Sequence, residues 1–108
     1  MKEETRRAIA FEAASRISGH KSSNIYSHDR GRHTPMSSGY DHEAQAHISG
    51  SGSGLYHYGT QSHINLSVSG QNFSGYDYGE GHHFSGSVTG KSVQIYDHGE
   101  GRHFHYSV

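Results

Sequence analysis

No cysteine and no tryptophan occur among the 108 residues. Without cysteine there is no disulfide framework, no thiol nucleophile and no cysteine-based zinc site. Aliphatic residues are scarce as well: Leu, Ile, Val and Phe together number sixteen, few enough to raise the question of disorder. The formal charge of −1 shows none of the basic excess that a nucleic-acid surface needs, so no nucleic-acid partner is expected. No apolar run approaches membrane-spanning length, and the charged stretch Met1 to Arg7 leads into alanines rather than a leader-like apolar segment. No membrane association and a cytoplasmic location are therefore the expectation. Disordered chains with poor hydrophobic content ordinarily carry high net charge and few aromatics. This chain is nearly neutral and has eight tyrosines, which points to a folded protein with a thin core.

What the chain has in abundance is repetition. Five times a tyrosine is followed, after six residues, by a histidine: Tyr26/His33, Tyr40/His47, Tyr56/His63, Tyr76/His83 and Tyr96/His103. The last two copies share Tyr-Asp-x-Gly-Glu-Gly-x-His-Phe, beginning at Tyr76 and Tyr96. A recurring pattern of this kind means one small structural unit copied along the chain. A single domain over 1–108 is expected, with a helix in 1–19 and five β-hairpin repeats over 24–108.

The helix is predicted over 2–18, where Ala8, Ala10, Ala13 and Ala14 favour it and Gly19 provides a stop. Ile9, Ala10, Ala13, Ala14 and Ile17 share one side, with Arg6 in the middle of the stripe and Phe11 nearly opposite it. From about Asn24 the period changes to two: Ile64, Leu66 and Val68 alternate with His63, Asn65 and Ser67. Turns fall at Gly70-Gln71 and Gly90-Lys91, and at Gly79-Glu80 and Gly99-Glu100, all read as two-residue hairpin loops. That register sets Val88 against Val93, Gly86 against Ile95, Ile95 against Phe104 and Tyr96 against His103. One face then gathers Leu55, Ile64, Leu66, Val68, Phe73, Phe84, Val88, Val93, Ile95, Phe104, Tyr106 and Val108. A one-residue slip would send all of them to the wrong side. The helix is the natural cover for this face, and Arg6 is placed to meet Asp77 or Asp97, whose carboxylates would otherwise be unpaired there. The Ser-Gly stretch between Ile48 and Leu55 suggests a loose hairpin or a weak strand junction. The fold class expected is mainly β with one N-terminal helix. About ten short strands form an antiparallel meander, as a strongly curved open sheet or a barrel-like sheet wrapped on the helix, with the open form preferred.

The opposite face is unusual in gathering Tyr56, His63, Tyr76, Tyr78, His83, Tyr96, His98 and His103, phenol and imidazole rings near the Gly-Glu-Gly end of the sheet. As structural rungs, such cross-strand pairs would each contribute roughly 0.2–1 kcal/mol. As a binding surface, the rings would stack on sugar or peptide while Ser and His supply hydrogen bonds. In architecture alone these hairpins are similar to those of choline-binding and MORN-type modules, and no residue is carried over from them. Twelve histidines also suggest metal capture, with His83, His98 and His103 as the natural ligand set. No nucleophile elbow, phosphate loop or His-Glu-x-x-His motif is present, so neither catalysis nor a cofactor is expected. The functional expectation is a non-catalytic structural or interaction module whose Tyr/His face meets another copy, a protein or a glycan. A metal-binding protein is the alternative. With imidazoles titrating near ~6.5, acid lability around pH 5 is also expected.

Overall fold

Apolar residues at every second position, punctuated by glycine-bearing turns, make strands that double back on one another. The computed structural model describes residues 1–19, 23–37, 40–51 and 54–108. Along them run α1 (Glu3–Ser18), β1 (Asn24–Ser27), β2 (Arg32–Ser37), β3 (Tyr40–Asp41), β4 (Ala46–Ser51), β5 (Gly54–His57), β6 (Ser62–Ser69), β7 (Asn72–Asp77), β8 (His82–Thr89), β9 (Ser92–Asp97) and β10 (Arg102–Ser107). Each strand pairs antiparallel with the next, and β1 also pairs with β10, so the ten strands close into a barrel. The seam is short. Tyr26 faces Ser107, Ser27 faces Tyr106, and the His28 N–H donates to the His105 carbonyl at 2.9 Å. The chain is thus mainly β with one N-terminal helix, and of the two sheet forms the periodicity allowed, it adopts the closed one. Closure removes the unpaired edges that an open sheet would present.

The expected register holds. Val88 pairs with Val93, Gly86 with Ile95, Ile95 with Phe104, and Tyr96 with His103. Gly90-Lys91 is a two-residue loop between Thr89 and Ser92, with Gly90 at φ +59°. The Gly-Glu-Gly loops are longer than their sequence suggests: Asp97 pairs with Arg102 and Asp77 with His82, leaving His98–Gly101 and Tyr78–Gly81 as the loops. Both loop lengths share one centre, so the pairing beyond them is unchanged. Gly81 and Gly101 close these loops in the left-handed region, at φ +74° and +69°. Their N–H groups donate to the Asp77 and Asp97 carbonyls at 2.8 and 2.7 Å. The Ser-Gly stretch forms a hairpin in which β4 and β5 pair from Ile48–His57 to Ser51–Gly54, and residues 52–53 lie outside the described residues.

Inside the barrel, Leu55, Ile64, Leu66, Phe73, Phe84, Val88, Val93, Ile95, Phe104 and Tyr106 are buried together, joined by Ile25 and Met36 of the first hairpin. Val108 packs against them, half-buried. Val68 departs from the expectation. It shares the inward parity of Ile64 and Leu66, but it lies next to the turn at Gly70, past the packed core, and is 40% exposed. Two glycines make room for rings. Gly75 pairs with Phe84 and Gly86 with Phe73. A Cβ on Gly86 would stand 2.1 Å from the Gln94 carbonyl oxygen and 2.5 Å from the Phe73 ring. The two phenyl rings meet at 6.3 Å between centroids.

The helix ends where expected: Gly19 takes φ +70° and its N–H donates to the Ser15 carbonyl at 3.0 Å. Thr5, Arg6, Arg7, Ala8, Ile9 and Ala10 are consecutive and all buried. Six residues exceed a full turn of ~3.6, so this part of α1 is surrounded on every side. The barrel encloses the helix rather than resting one face on it. That accounts for Phe11, which packs against the core although it lies opposite the Ile9–Ala13–Ile17 stripe. Among the described residues no helix is long and apolar enough to cross a membrane.

Candidate functional site

Antiparallel pairing sets the tyrosine and histidine of every repeat directly across from each other on the outer surface. Ring centroids lie 4.5 Å apart in Tyr26/His33 and Tyr56/His63, 4.6 Å in Tyr76/His83, 4.7 Å in Tyr96/His103 and 5.0 Å in Tyr40/His47. A third ring joins each pair from the first residue of the four-residue turn. His28, His42, Tyr58, Tyr78 and His98 pack edge-on against their tyrosines at 4.6–4.9 Å. The tyrosine at the centre of each triad is half-buried, while Tyr58 and Tyr78 are 56% and 63% exposed. The residues expected from sequence fall into Tyr56–Tyr58–His63, Tyr76–Tyr78–His83 and Tyr96–His98–His103. Tyr58 and the triads of Tyr26 and Tyr40 complete the set. Between hairpins the connection passes to the backbone, with Tyr78 N–H donating to the His63 carbonyl at 2.9 Å and His98 N–H to that of His83 at 3.2 Å. Among the described residues, tyrosine and histidine rings touch only within a hairpin, so the surface carries separate triads. A depression of about 820 Å³ opens beside two of them, lined by Tyr76, Tyr78, His83 and His98 together with Ser74 and Ser85.

The described histidines do not converge. Among the described residues no group of three or more His, Asp or Glu side chains is arranged to hold a metal ion. His83 belongs to the triad of Tyr76, whereas His98 and His103 belong to that of Tyr96, and the His103 Nδ1 lies 3.0 Å from the Gln94 amide nitrogen. The ligand set His83, His98 and His103 is therefore not assembled. His83 sits on one hairpin, against Tyr76, while His98 and His103 sit on the next, on either side of Tyr96.

The residue after each tyrosine points the other way, into the barrel. Ser27, Asp41, His57, Asp77 and Asp97 are each at most 2% exposed. Each first caps its own turn, as short polar side chains do. Asp97 Oδ1 accepts the Gly99 N–H at 2.9 Å, Asp77 Oδ1 that of Gly79 at 2.9 Å, and Asp41 Oδ1 those of Glu43 and Ala44 at 3.0 Å. His57 Nδ1 accepts the Thr60 N–H at 3.2 Å, and Ser27 Oγ that of Arg30 at 3.2 Å.

The second oxygen of two of these carboxylates receives the helix. Asp97 Oδ2 accepts from the Met1 α-ammonium at 2.8 Å and from Arg6 Nη1 at 3.0 Å. Arg6 also donates to the Met1 carbonyl and stacks on the Phe104 ring at 3.8 Å. Asp41 Oδ2 takes Arg7 Nε at 2.9 Å and Nη2 at 2.7 Å. Arg6 thus meets one of the two carboxylates foreseen for it. Arg7 with Asp41 is a second buried pair that the helix stripe does not reveal. Asp77 Oδ2 and His57 Nε2 are buried without a hydrogen-bond partner. The electrostatics follow. Burial pushes the Asp77 carboxyl above its ordinary value, and the Gly79 and Glu80 N–H groups offset this only in part. Burial works in the same direction at Asp97, but the α-ammonium, the Glu100 N–H and Arg6 outweigh it and hold the carboxyl low. Burial lowers His57.

Two exposed serine–histidine contacts occur, Ser107 Oγ to His28 Nε2 and Ser37 Oγ to His42 Nε2, both at 2.7 Å. Neither ring is hydrogen-bonded to a carboxylate that would orient it for base catalysis. Comparison with protein-family models, with curated proteins and with solved structures found no match. The inward polar ring was still legible in principle. It occupies the position after each repeated tyrosine, and strand alternation puts that position on the core face.

Proposed function

We propose that this protein is a non-catalytic interaction module, and that it meets its partner through the ring triads on the outer surface of the barrel. One observation carries this reading: the rings are presented where the fold does not require them. The interior has its own phenylalanines, aliphatic residues and helix, while each triad stands outside with two of its three rings exposed. Tyrosine gives a partner a large, stiff and amphipathic contact surface, and neighbouring imidazoles can donate or accept hydrogen bonds. A cytoplasmic site of action goes with this reading, and cell fractionation tests it.

A double variant, Tyr76→Ala with Tyr96→Ala, separates binding from scaffolding. Wild type and variant would be applied to peptide and glycan arrays, with thermal melts and solution mass measured alongside. The expected outcome is lost binding with a melting temperature lowered by only a few degrees. Each ring pair is worth roughly 0.2–1 kcal/mol to a sheet. Unchanged binding beside a collapse in melting temperature would leave the triads as scaffold alone.

A further inference from the structure

Near the seam the exposed charges lie in a turn or at strand starts, Asp29 and Arg30 in the turn after β1, and Arg32 and Arg102 at the first positions of β2 and β10. Across β6 to β9 the outward positions are Ser, Thr, Asn, Gln, His and Tyr throughout, with no Asp, Glu, Lys or Arg. A soluble surface ordinarily takes roughly 25–35% of its residues from those four types. Strand register also shapes this region. Ser67, Ser74 and Ser85 face one another across β6, β7 and β8, and the next residue in that row, on β9, is Tyr96. A second row runs from Ser69 through Asn72 and Ser87 to Gln94. Serine barely rises above the strand, so these rows form a floor, and the Tyr96–His103 ring pair stands as a wall at its side. The result is a cleft of about 510 Å³ that also reaches Val68 and Phe73 beside the Gly70 turn. Its volume falls within the ~300–1,000 Å³ range of small-molecule clefts. Ser74 and Ser85 also line the depression beside Tyr76 and Tyr78, so the two hollows share a floor.

We infer that this trough binds a neutral glycan, a proposal that rests on the outer-surface interaction reading above and specifies its ligand. The chemistry selects that class. A serine hydroxyl donates one hydrogen bond and accepts others, and Asn and Gln amides do both, which complements a polyol whose every hydroxyl does the same. Tyr96 and Tyr76 border the floor and offer ring faces or edges to the C–H surface of a sugar. A charged ligand would give up hydration with no Asp, Glu, Lys or Arg in the lining to replace it. A flat apolar ligand would leave a row of hydroxyls covered and unpaired.

The test applies the protein to immobilised neutral oligomers of glucose, mannose, galactose, xylose and N-acetylglucosamine, with sialylated and sulfated glycans and peptides on the same array. Hits are then titrated in solution. Ser85→Glu places a carboxylate in the floor without touching the core, Tyr96→Ala removes the wall, and Arg32→Ala on β2 serves as a control. The expected result is binding of a neutral oligosaccharide, weakened at least tenfold by Ser85→Glu and by Tyr96→Ala and unaffected by Arg32→Ala, with the melting temperature of Ser85→Glu near that of wild type. Preference for an anionic glycan or a peptide, or a dimer that Ser85→Glu dissociates, overturns the neutral-glycan assignment and leaves the interaction surface standing. Binding of nothing by a strictly monomeric protein overturns both.

Discussion

At the scale of single residues, equivalent positions in the repeat have been given opposite electrostatic duties. Asp77 and Asp97 both cap their turns through Oδ1, but only Asp97 has cationic partners on Oδ2. Their neutral variants should therefore move stability in opposite directions. Asp97→Asn leaves Arg6 and the α-ammonium buried without a countercharge, and breaking a buried pair in this way typically costs ~3–5 kcal/mol. Because the folded Asp97 value lies below the unfolded one of about 3.8, its contribution is present above that pH and is lost as pH falls through the folded value. The penalty of Asp97→Asn should shrink accordingly in acid. Asp77 is raised, so its ionisation weakens the fold as pH climbs through the folded value. Asp77→Asn keeps the cap to Gly79 and removes a buried charge that has no cationic partner, so it should stabilise the fold at pH 7. That gain should vanish below pH ~3.8. Denaturant melts of both variants at pH 7 and pH 3.5 check the pair, and equal signs at pH 7 would refute it. His57 adds a second acid-sensitive group. Its folded value is depressed below the ordinary 6.5, so the unfolded chain takes up a proton first and stability drops as pH falls below that point. His57→Asn keeps a cap and should flatten the fall in melting temperature between pH 6.5 and 5.

At the scale of elements, each hairpin is specified by residues within it. The turns tolerate little exchange with the strands. Gly90 has open space around the position of a Cβ but sits at φ +59°, so Gly90→Ala pays only the left-handed penalty of ~1–2 kcal/mol. Gly86 is the reverse case: an added methyl collides with the Gln94 backbone and the Phe73 ring. Overpacking typically costs ~1–3 kcal/mol, and here the obstacle includes backbone. Gly86→Ala should therefore destabilise more than Gly90→Ala, which chemical denaturation of the two variants measures. The reverse order would mean that the Phe73–Phe84 packing yields easily. In α1 the logic is one of size. Ala10, Ala13 and Ala14 are small and fully buried, so the strands can close around the helix.

At the scale of the whole molecule, the decisive contact is the seam. β1 and β10 meet over Tyr26–Ser107 and Ser27–Tyr106, few pairs to join the two ends of a ten-stranded sheet. Hydrogen exchange reports on it directly. The His28 N–H, bonded to the His105 carbonyl, should exchange slowly for a residue so near the surface, and it should lose its protection before the amides of β7 and β8. Protection at His28 equal to that of a free loop amide would mean that the barrel opens in solution. Closure also explains how so few aliphatic residues suffice. A sheet wrapped on a helix buries both partners, and buried arginine–aspartate pairs occupy part of the lumen where a larger core would stand.

The sequence by itself determined the register, the inward and outward sides of nearly every strand, the helix and its stop at Gly19, and the pairing of tyrosine with histidine. All of these are local: period-two alternation and the spacing of glycine turns settle them within a hairpin. The loop length at Gly79-Glu80 escaped because two- and four-residue loops share one centre and leave the same pairing pattern. Closure, the enclosure of Phe11, the bond of Arg7 to Asp41 and the solitary Asp77 carboxylate were decided only by tertiary structure. Each depends on residues distant in the chain meeting after twist has accumulated over ten strands. Twist accumulates strand by strand, and no single hairpin carries a trace of where the last strand will arrive.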